Sequence, residues 1–242
     1  MQLRQLFDKD SSTYSYLLWD EVTREAVMID PVLEQSERDI RLITELGLNL
    51  RYALETHIHA DHITGGGLLR ERFSCLVGVH ENAAAGCADI ALKEGDQLRF
   101  GESSLTVLHT PGHTNTDISY LTKECLFTGD TLLVRGSGRT DFQSGDAGQA
   151  YDSITQKLFV LPDDFIVYPA HDYNGQTATT IGEEKKYNPR LGNKQTRAGY
   201  IKIMNSLVLE KPGKIDVAVP GNQRCGISAM EGLINQAGEP EA

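Results

Sequence analysis

The order of apolar runs predicts an α/β domain of two mixed β-sheets with helices outside. Three observations carry this. Strand-like and helix-like runs alternate along the chain. Closely spaced strand pairs recur, which argues against a purely parallel, doubly wound sheet. Every histidine-rich segment begins where an apolar strand ends, the place where loops on such folds carry chemistry.

Gln2 to Phe7, Thr13 to Trp19 and Glu25 to Ile29 are short, rich in β-branched and aromatic residues, and separated by polar turns, so they read as strands. Asp30-Pro31 ends the third. Leu33 to Leu46 repeats apolar residues at Ile40, Ile43 and Leu46 and stops at Gly47, which predicts a helix with a glycine cap. Arg51 to Glu55 is a strand, Gly65 to Phe73 a helix and Leu76 to Val79 a strand. Gln97 to Phe100 pairs with Ser104 to His109, and Ile118 to Leu121 with Cys125 to Phe127. Ala150 to Leu161 reads as a helix and Phe165 to Tyr168 as a strand. From Ala178 to about Leu209 the spacing is helical, and the tail after Gly226 is expected to be loosely held. Residues 1–175 are expected to form the core with the site. Residues 176–242 are expected to form a helical and extended part packed on the same domain.

Composition excludes several classes. Forty per cent of the 242 residues are apolar, enough for a sizeable core. A net charge of −11 repels phosphate backbones and anionic lipid, so neither nucleic acid nor membrane is an expected partner. No apolar run nears the ~18 residues that span a bilayer. The opening MQLRQLFDKDSSTYSYLLWD lacks a basic region followed by an apolar stretch, so no signal peptide is expected. Cys75, Cys87, Cys125 and Cys225 form no CxxC and no zinc-finger spacing; they are expected to be reduced and mostly buried, which suits a cytoplasmic protein.

The chemistry concentrates in ETHIHADHITGGG, Glu55 to Gly67. Three of the seven histidines, His57, His59 and His62, sit here with Asp61. In extended chain, residues two apart face the same way, so His57 and His59 can serve one centre. Asp61 and His62, on the following turn, can serve a neighbouring one. Imidazole with carboxylate suits zinc, iron or manganese. LHTPGHTNTD adds His113, LFTGDTLL adds Asp130 and VYPAHDYNG adds His171, each beside glycine or proline after an apolar run. The seven residues suffice for one metal or for a pair bridged by Asp130.

THIHADH, TPGHT, FTGDTL and PAHD, in that order, resemble the metallo-β-lactamase superfamily, over about residues 10–175. That resemblance implies an αββα sandwich with a metal site at the sheet edges. GDTLLVRGSGRTDFQSGD, HADHITGG, HDYNG, YNPRL and DVAVPGNQRCG resemble the persulfide dioxygenases within it, which extends the likeness to nearly the whole chain. The resemblance implies oxidation of glutathione persulfide by O2 to sulfite and glutathione on one non-haem Fe(II) per chain. It implies His57, His113 and Asp130 as iron ligands, with His59, Asp61, His62 and His171 around them orienting ligands or metal-bound water. Two histidines and a carboxylate on one face of Fe(II) leave positions open for O2 and substrate together.

Arg139 is the candidate anchor for a glutathione carboxylate, because a guanidinium grips carboxylate with two parallel bonds. Tyr173 matches a glutathione-contacting position in related thioesterases. The resemblance further implies a homodimer; the family can carry a fused sulfurtransferase domain, which this chain is expected to be too short to hold, so the expected donor is a separate sulfurtransferase or free glutathione persulfide. The competing expectation is a glutathione thioester hydrolase of the glyoxalase II type, which uses all seven residues for two metals and a bridging hydroxide.

Overall fold

The computed structural model describes residues 1–227. Two six-stranded mixed sheets stack face to face. The first runs in the order β1 (Gln2–Asp8), β2 (Thr13–Trp19), β3 (Glu25–Ile29), β4 (Asn49–Leu54), β5 (Leu76–His80), β6 (Ile90–Leu92). Its first three strands are antiparallel neighbours, and β3 to β6 pair in parallel. The second begins at β7 (Gln97–Phe100), β8 (Ser103–His109), β9 (Ile118–Leu121) and β10 (Cys125–Gly129). It continues through β11 (Ile166–Pro169) to β12 (Thr179–Thr180). Only β10 and β11 are parallel in it. This is the αββα sandwich that the motifs imply.

Side-chain alternation explains the layering. All seven residues of β2 are buried. Tyr14, Tyr16 and Leu18 point between the sheets, where they meet Val27, Ile29, Leu105, Val107, Tyr120 and Phe127. Leu17 and Trp19 point the other way, into an outer core with Met28, Ile43, Leu69 and Val77. That second core lies under α1 (Ser36–Glu45) and α2 (Gly66–Phe73). The second sheet is covered by α3 (Ala147–Ser153), α4 (Ile181–Tyr187) and α5 (Arg197–Asn205) through Ala150, Ile154, Val167, Ile181, Tyr200 and Met204. Asp146, Thr180 and Thr196 cap these three helices, each accepting a backbone N–H from the first turn.

Several elements depart from the sequence reading. β6 and β12 are too short to show a period, and β12 occupies the start of a stretch that reads as helical. The helical stretch divides into α4 and α5 around Asn188 to Thr196, where Asn193 and Lys194 take positive φ. α3 begins at Ala147 and widens into a π-turn over Ile154–Leu158. α6 (Ile215–Asn222) carries Pro220 inside it, which hides it from a helix reading. Apart from Ile227, the tail after Gly226 lies outside the described residues.

The expectation of four reduced thiols is overturned. Cys87 and Cys225 form a disulfide, their Cα atoms 6.0 Å apart across a separation of 138 residues. Spacing rules detect only local pairs, whereas here the fold seats the end of α6 against the loop before β6. Cys75 and Cys125 are free and buried, as expected, and burial raises both thiol pKa values.

Candidate metal centre

The chain leaves β4 at Leu54 and enters the histidine loop between the two sheets. Asp30, at the end of the neighbouring β3, holds that loop. Its two oxygens accept from Thr56 N at 2.6 Å and Thr56 Oγ1 at 2.8 Å, and Oδ1 lies 3.1 Å from His59 Nε2. The Thr56 hydroxyl spends its proton on Asp30, so it accepts from His57 Nδ1, 3.0 Å away. That fixes the His57 proton on Nδ1 and leaves Nε2 as a free lone pair. The ring is buried, and burial, with His59 and His113 next, pushes its pKa well below the usual value. His57 is therefore neutral, the form that binds a metal.

His113 and Asp130 come from the second sheet. Pro111-Gly112 turns the chain after β8, and His113 Nδ1 donates to the Arg139 carbonyl at 2.7 Å. Its Nε2 then faces Asp130 Oδ2 at 3.5 Å. Asp130 follows Gly129, which has φ +52° and no room for a side chain; a Cβ there would lie 2.5 Å from Thr56 Oγ1. Burial works to raise the Asp130 pKa, but His171, His113 and His57 together hold it below the usual value. Donor atoms of His57, His113 and Asp130 all lie within 4.8 Å of one another.

The remaining four predicted residues border this triad. His171, at the end of β11, donates Nδ1 to the Ser12 carbonyl at 3.0 Å. Its Nε2 stands 3.6 Å from both Asp61 and Asp130. Asp61 also meets His62 Nδ1 at 3.0 Å and His59 Nδ1 at 3.9 Å. Burial opposes ionisation of Asp61, yet His62 and His171 hold its pKa well below the usual range.

The polar atoms test whether these residues fit a metal. Asp130 Oδ1, His59 Nδ1 and His62 Nε2 are buried with no hydrogen-bond partner. A buried carboxylate oxygen and two buried imidazole nitrogens without partners are costly unless a ligand satisfies them. The donor set at the triad, two imidazoles and one carboxylate, is that of non-haem Fe(II) oxygenases.

The triad opens into a cavity of about 470 Å³ walled by Leu133, Leu209 and Pro212, with Arg139, Tyr173 and Arg190 at its polar side. Arg139 lines it, but its fork is closed on Asp141 at 2.7 and 2.8 Å, and Nη1 donates to Glu210 O at 2.6 Å. Tyr173 is 73% exposed and stacks beside His171. Arg190 is half-buried, with Nη1 held by the Ser137 carbonyl.

Sequence reasoning missed Asp30, Arg190 and Asn222. Asp30 carried one signal, an acidic residue at the end of the strand next to the histidine loop's own. Arg190 and Asn222 carried none beyond their place in the YNPRL and DVAVPGNQRCG segments. His80 and His109 stack on each other at 3.9 Å, apart from the triad.

Comparison with known proteins gives a consistent picture. The family model of the metallo-beta-lactamase superfamily matches residues 8–171. The mouse (Mus musculus) protein named persulfide dioxygenase ETHE1, mitochondrial, is 49% identical over 227 residues, covering 93% of this chain and 89% of its own. The crystal structure of ETHE1 from Myxococcus xanthus superimposes with a TM-score of 0.91 at 54% identity, covering 93% of this chain and all of its own. Hydroxyacylglutathione hydrolase GloC of Haemophilus influenzae is 36% identical, covering 74% of this chain and 92% of its own.

Proposed function

The chain belongs to the metallo-beta-lactamase superfamily and, within it, to the persulfide dioxygenases, and from that premise we propose that it oxidises glutathione persulfide with O2 at one Fe(II) held by His57, His113 and Asp130. The products are sulfite and glutathione. The observation that carries the metal assignment is the triad, with His57 buried, His113 and Asp130 half-buried, and one Asp130 oxygen buried without a partner. When bound, Fe(II) supplies electrons for O2 and open positions at which the two reactants meet.

The chain's own residues do the rest. Asp30, through Thr56, keeps the His57 proton on Nδ1; the Arg139 carbonyl does the same for His113. Such outer hydrogen bonds fix the tautomer and aim the ring. His171 braces Asp61 and Asp130 from between them, and His59, Asp61 and His62 orient water and ligands at the centre. Leu133, Leu209 and Pro212 form the apolar side of the cavity. Arg190 and Tyr173 face the tripeptide, a substrate carboxylate being drawn to the Arg190 guanidinium; Arg139, whose fork is taken by Asp141, would meet the other carboxylate only by exchanging that partner. Holding persulfide and O2 in one cavity removes most of the entropy cost of their encounter.

The proposal includes a homodimer, a persulfide donor that is a separate sulfurtransferase or free glutathione persulfide, and the cytoplasmic location expected from the sequence, against which the Cys87–Cys225 disulfide counts. Light scattering, pull-down and cell fractionation check these in turn. Among the described residues no helix is long and apolar enough to cross a membrane.

Metal stoichiometry and substrate choice test the core of the reading. Fe(II)-loaded protein should hold one iron per chain and consume O2 with glutathione persulfide. Two ions per chain, with S-lactoylglutathione hydrolysed and no O2 taken up, would replace the reading with a two-metal thioester hydrolase.

A further inference from the structure

The histidine loop is gripped from outside by the end of α6. Asn222 is 3% exposed and makes three bonds to that loop. Its Nδ2 donates to the His59 and His62 carbonyls, both at 2.9 Å, and its Oδ1 accepts from Thr64 N at 2.8 Å. One side chain thus fixes the backbone on both sides of Asp61. Just beyond, the Cys225 carbonyl accepts from Gly67 N at 3.0 Å. The approach is so close that a Cβ on Gly67 would lie 2.4 Å from that oxygen. The same Cys225 is bonded to Cys87, in the loop before β6. Arg70, on α2, donates to the Cys87 carbonyl at 2.7 Å, so the far end of the disulfide is anchored as well.

We propose that Asn222 is a positioning residue for the metal centre, and that the Cys87–Cys225 disulfide is the tether that keeps it seated on the histidine loop. The inference rests on the metal-centre reading for its effect on turnover, and on geometry alone for its effect on the loop. Asn222 Nδ2 is the donor at both the His59 and the His62 carbonyl. Carbonyls left without a partner rotate, and the peptide planes that set His59, Asp61 and His62 rotate with them.

Two variants separate the parts. Cys87→Ser removes the tether and leaves Asn222 in place. Asn222→Asp keeps the acceptor for Thr64 N but removes both donors. Amide hydrogen exchange, read on metal-free protein, reports the loop directly, because the Thr64 and Gly67 amides are themselves bonded to the clamp. Cys87→Ser should accelerate exchange at Thr64 and Gly67 by about tenfold or more through local opening, on a timescale at which β2 and β10, which open only by global unfolding, remain protected. In iron-loaded protein both variants should lower kcat by about 10–100-fold, with KM for glutathione persulfide little changed. Unaltered exchange at Thr64 and Gly67 in Cys87→Ser would overturn the tether. Exchange at Thr64 and Gly67 that occurs only together with that of β2 and β10, in one global opening, would show a merely structural bond and would also overturn it. An unchanged kcat in a folded Asn222→Asp protein would overturn the positioning role. The exchange result stands whatever metal the site takes, so failure of the clamp and failure of the iron reading are told apart.

Discussion

Removing the Cys87–Cys225 disulfide should cost the fold about 5 kcal/mol. The bond closes a loop across 138 residues, most of the chain. Chain-entropy reasoning gives roughly 4.7 kcal/mol for a loop of about 100 residues and slightly more for this one. For a protein of this size each kcal/mol shifts Tm by roughly 2–4 °C, so Cys87→Ser should melt about 10–20 °C lower. Cys87 is only half-buried, and serine fits its place, so little packing is lost. The assay is scanning calorimetry of metal-free wild type and variant under non-reducing conditions, with intact mass confirming the bond in the wild type. A fall in Tm below about 3 °C, with the bond confirmed, would refute the argument that this crosslink acts through the unfolded chain.

Other perturbations probe separate parts. Burial raises the Asp39 pKa to about 6, above the unfolded value near 3.9. A raised carboxyl contributes its stability below about pH 4 and loses it as pH climbs through 6. Asp39→Asn should therefore match wild type near pH 4 and exceed its stability by up to about 3 kcal/mol at pH 7, as urea titrations would register. Asp130→Asn removes the triad's only carboxylate, and iron retained after dialysis should fall more than tenfold by mass spectrometry of metals. Arg190→Gln should raise KM for glutathione persulfide about 10–100-fold with kcat held, the loss of one charged bond to substrate; equal falls in kcat and kcat/KM would place it elsewhere.

The cluster of seven ligand-type residues was legible because its signals are local; which of them hold the metal was implied only by the resemblance. Four ligand-type residues in six positions, each further one after an apolar run, need no long-range information. The strands were legible for the same reason: β2 shows its aromatic and aliphatic residues directly. What the sequence hid was pairing across distance. Asp30 reads as the end of a strand until Thr56 is seen against it. Asn222 sits in a helix that Pro220 disguises, about 160 residues from the carbonyls it holds. Cys87 and Cys225 have no spacing to mark them. Arg139 shows the opposite limit: its type suits a carboxylate, and the carboxylate it grips in the fold is Asp141, two residues away.

The central claim is that this chain couples O2 to persulfide sulfur. The most direct measurement is O2 uptake in a sealed electrode chamber with Fe(II)-loaded protein and glutathione persulfide, sulfite being assayed in the same samples. Rapid uptake is expected, with one sulfite formed per O2 consumed. Protein that carries its iron yet takes up no O2, or takes it up without sulfite, would contradict it.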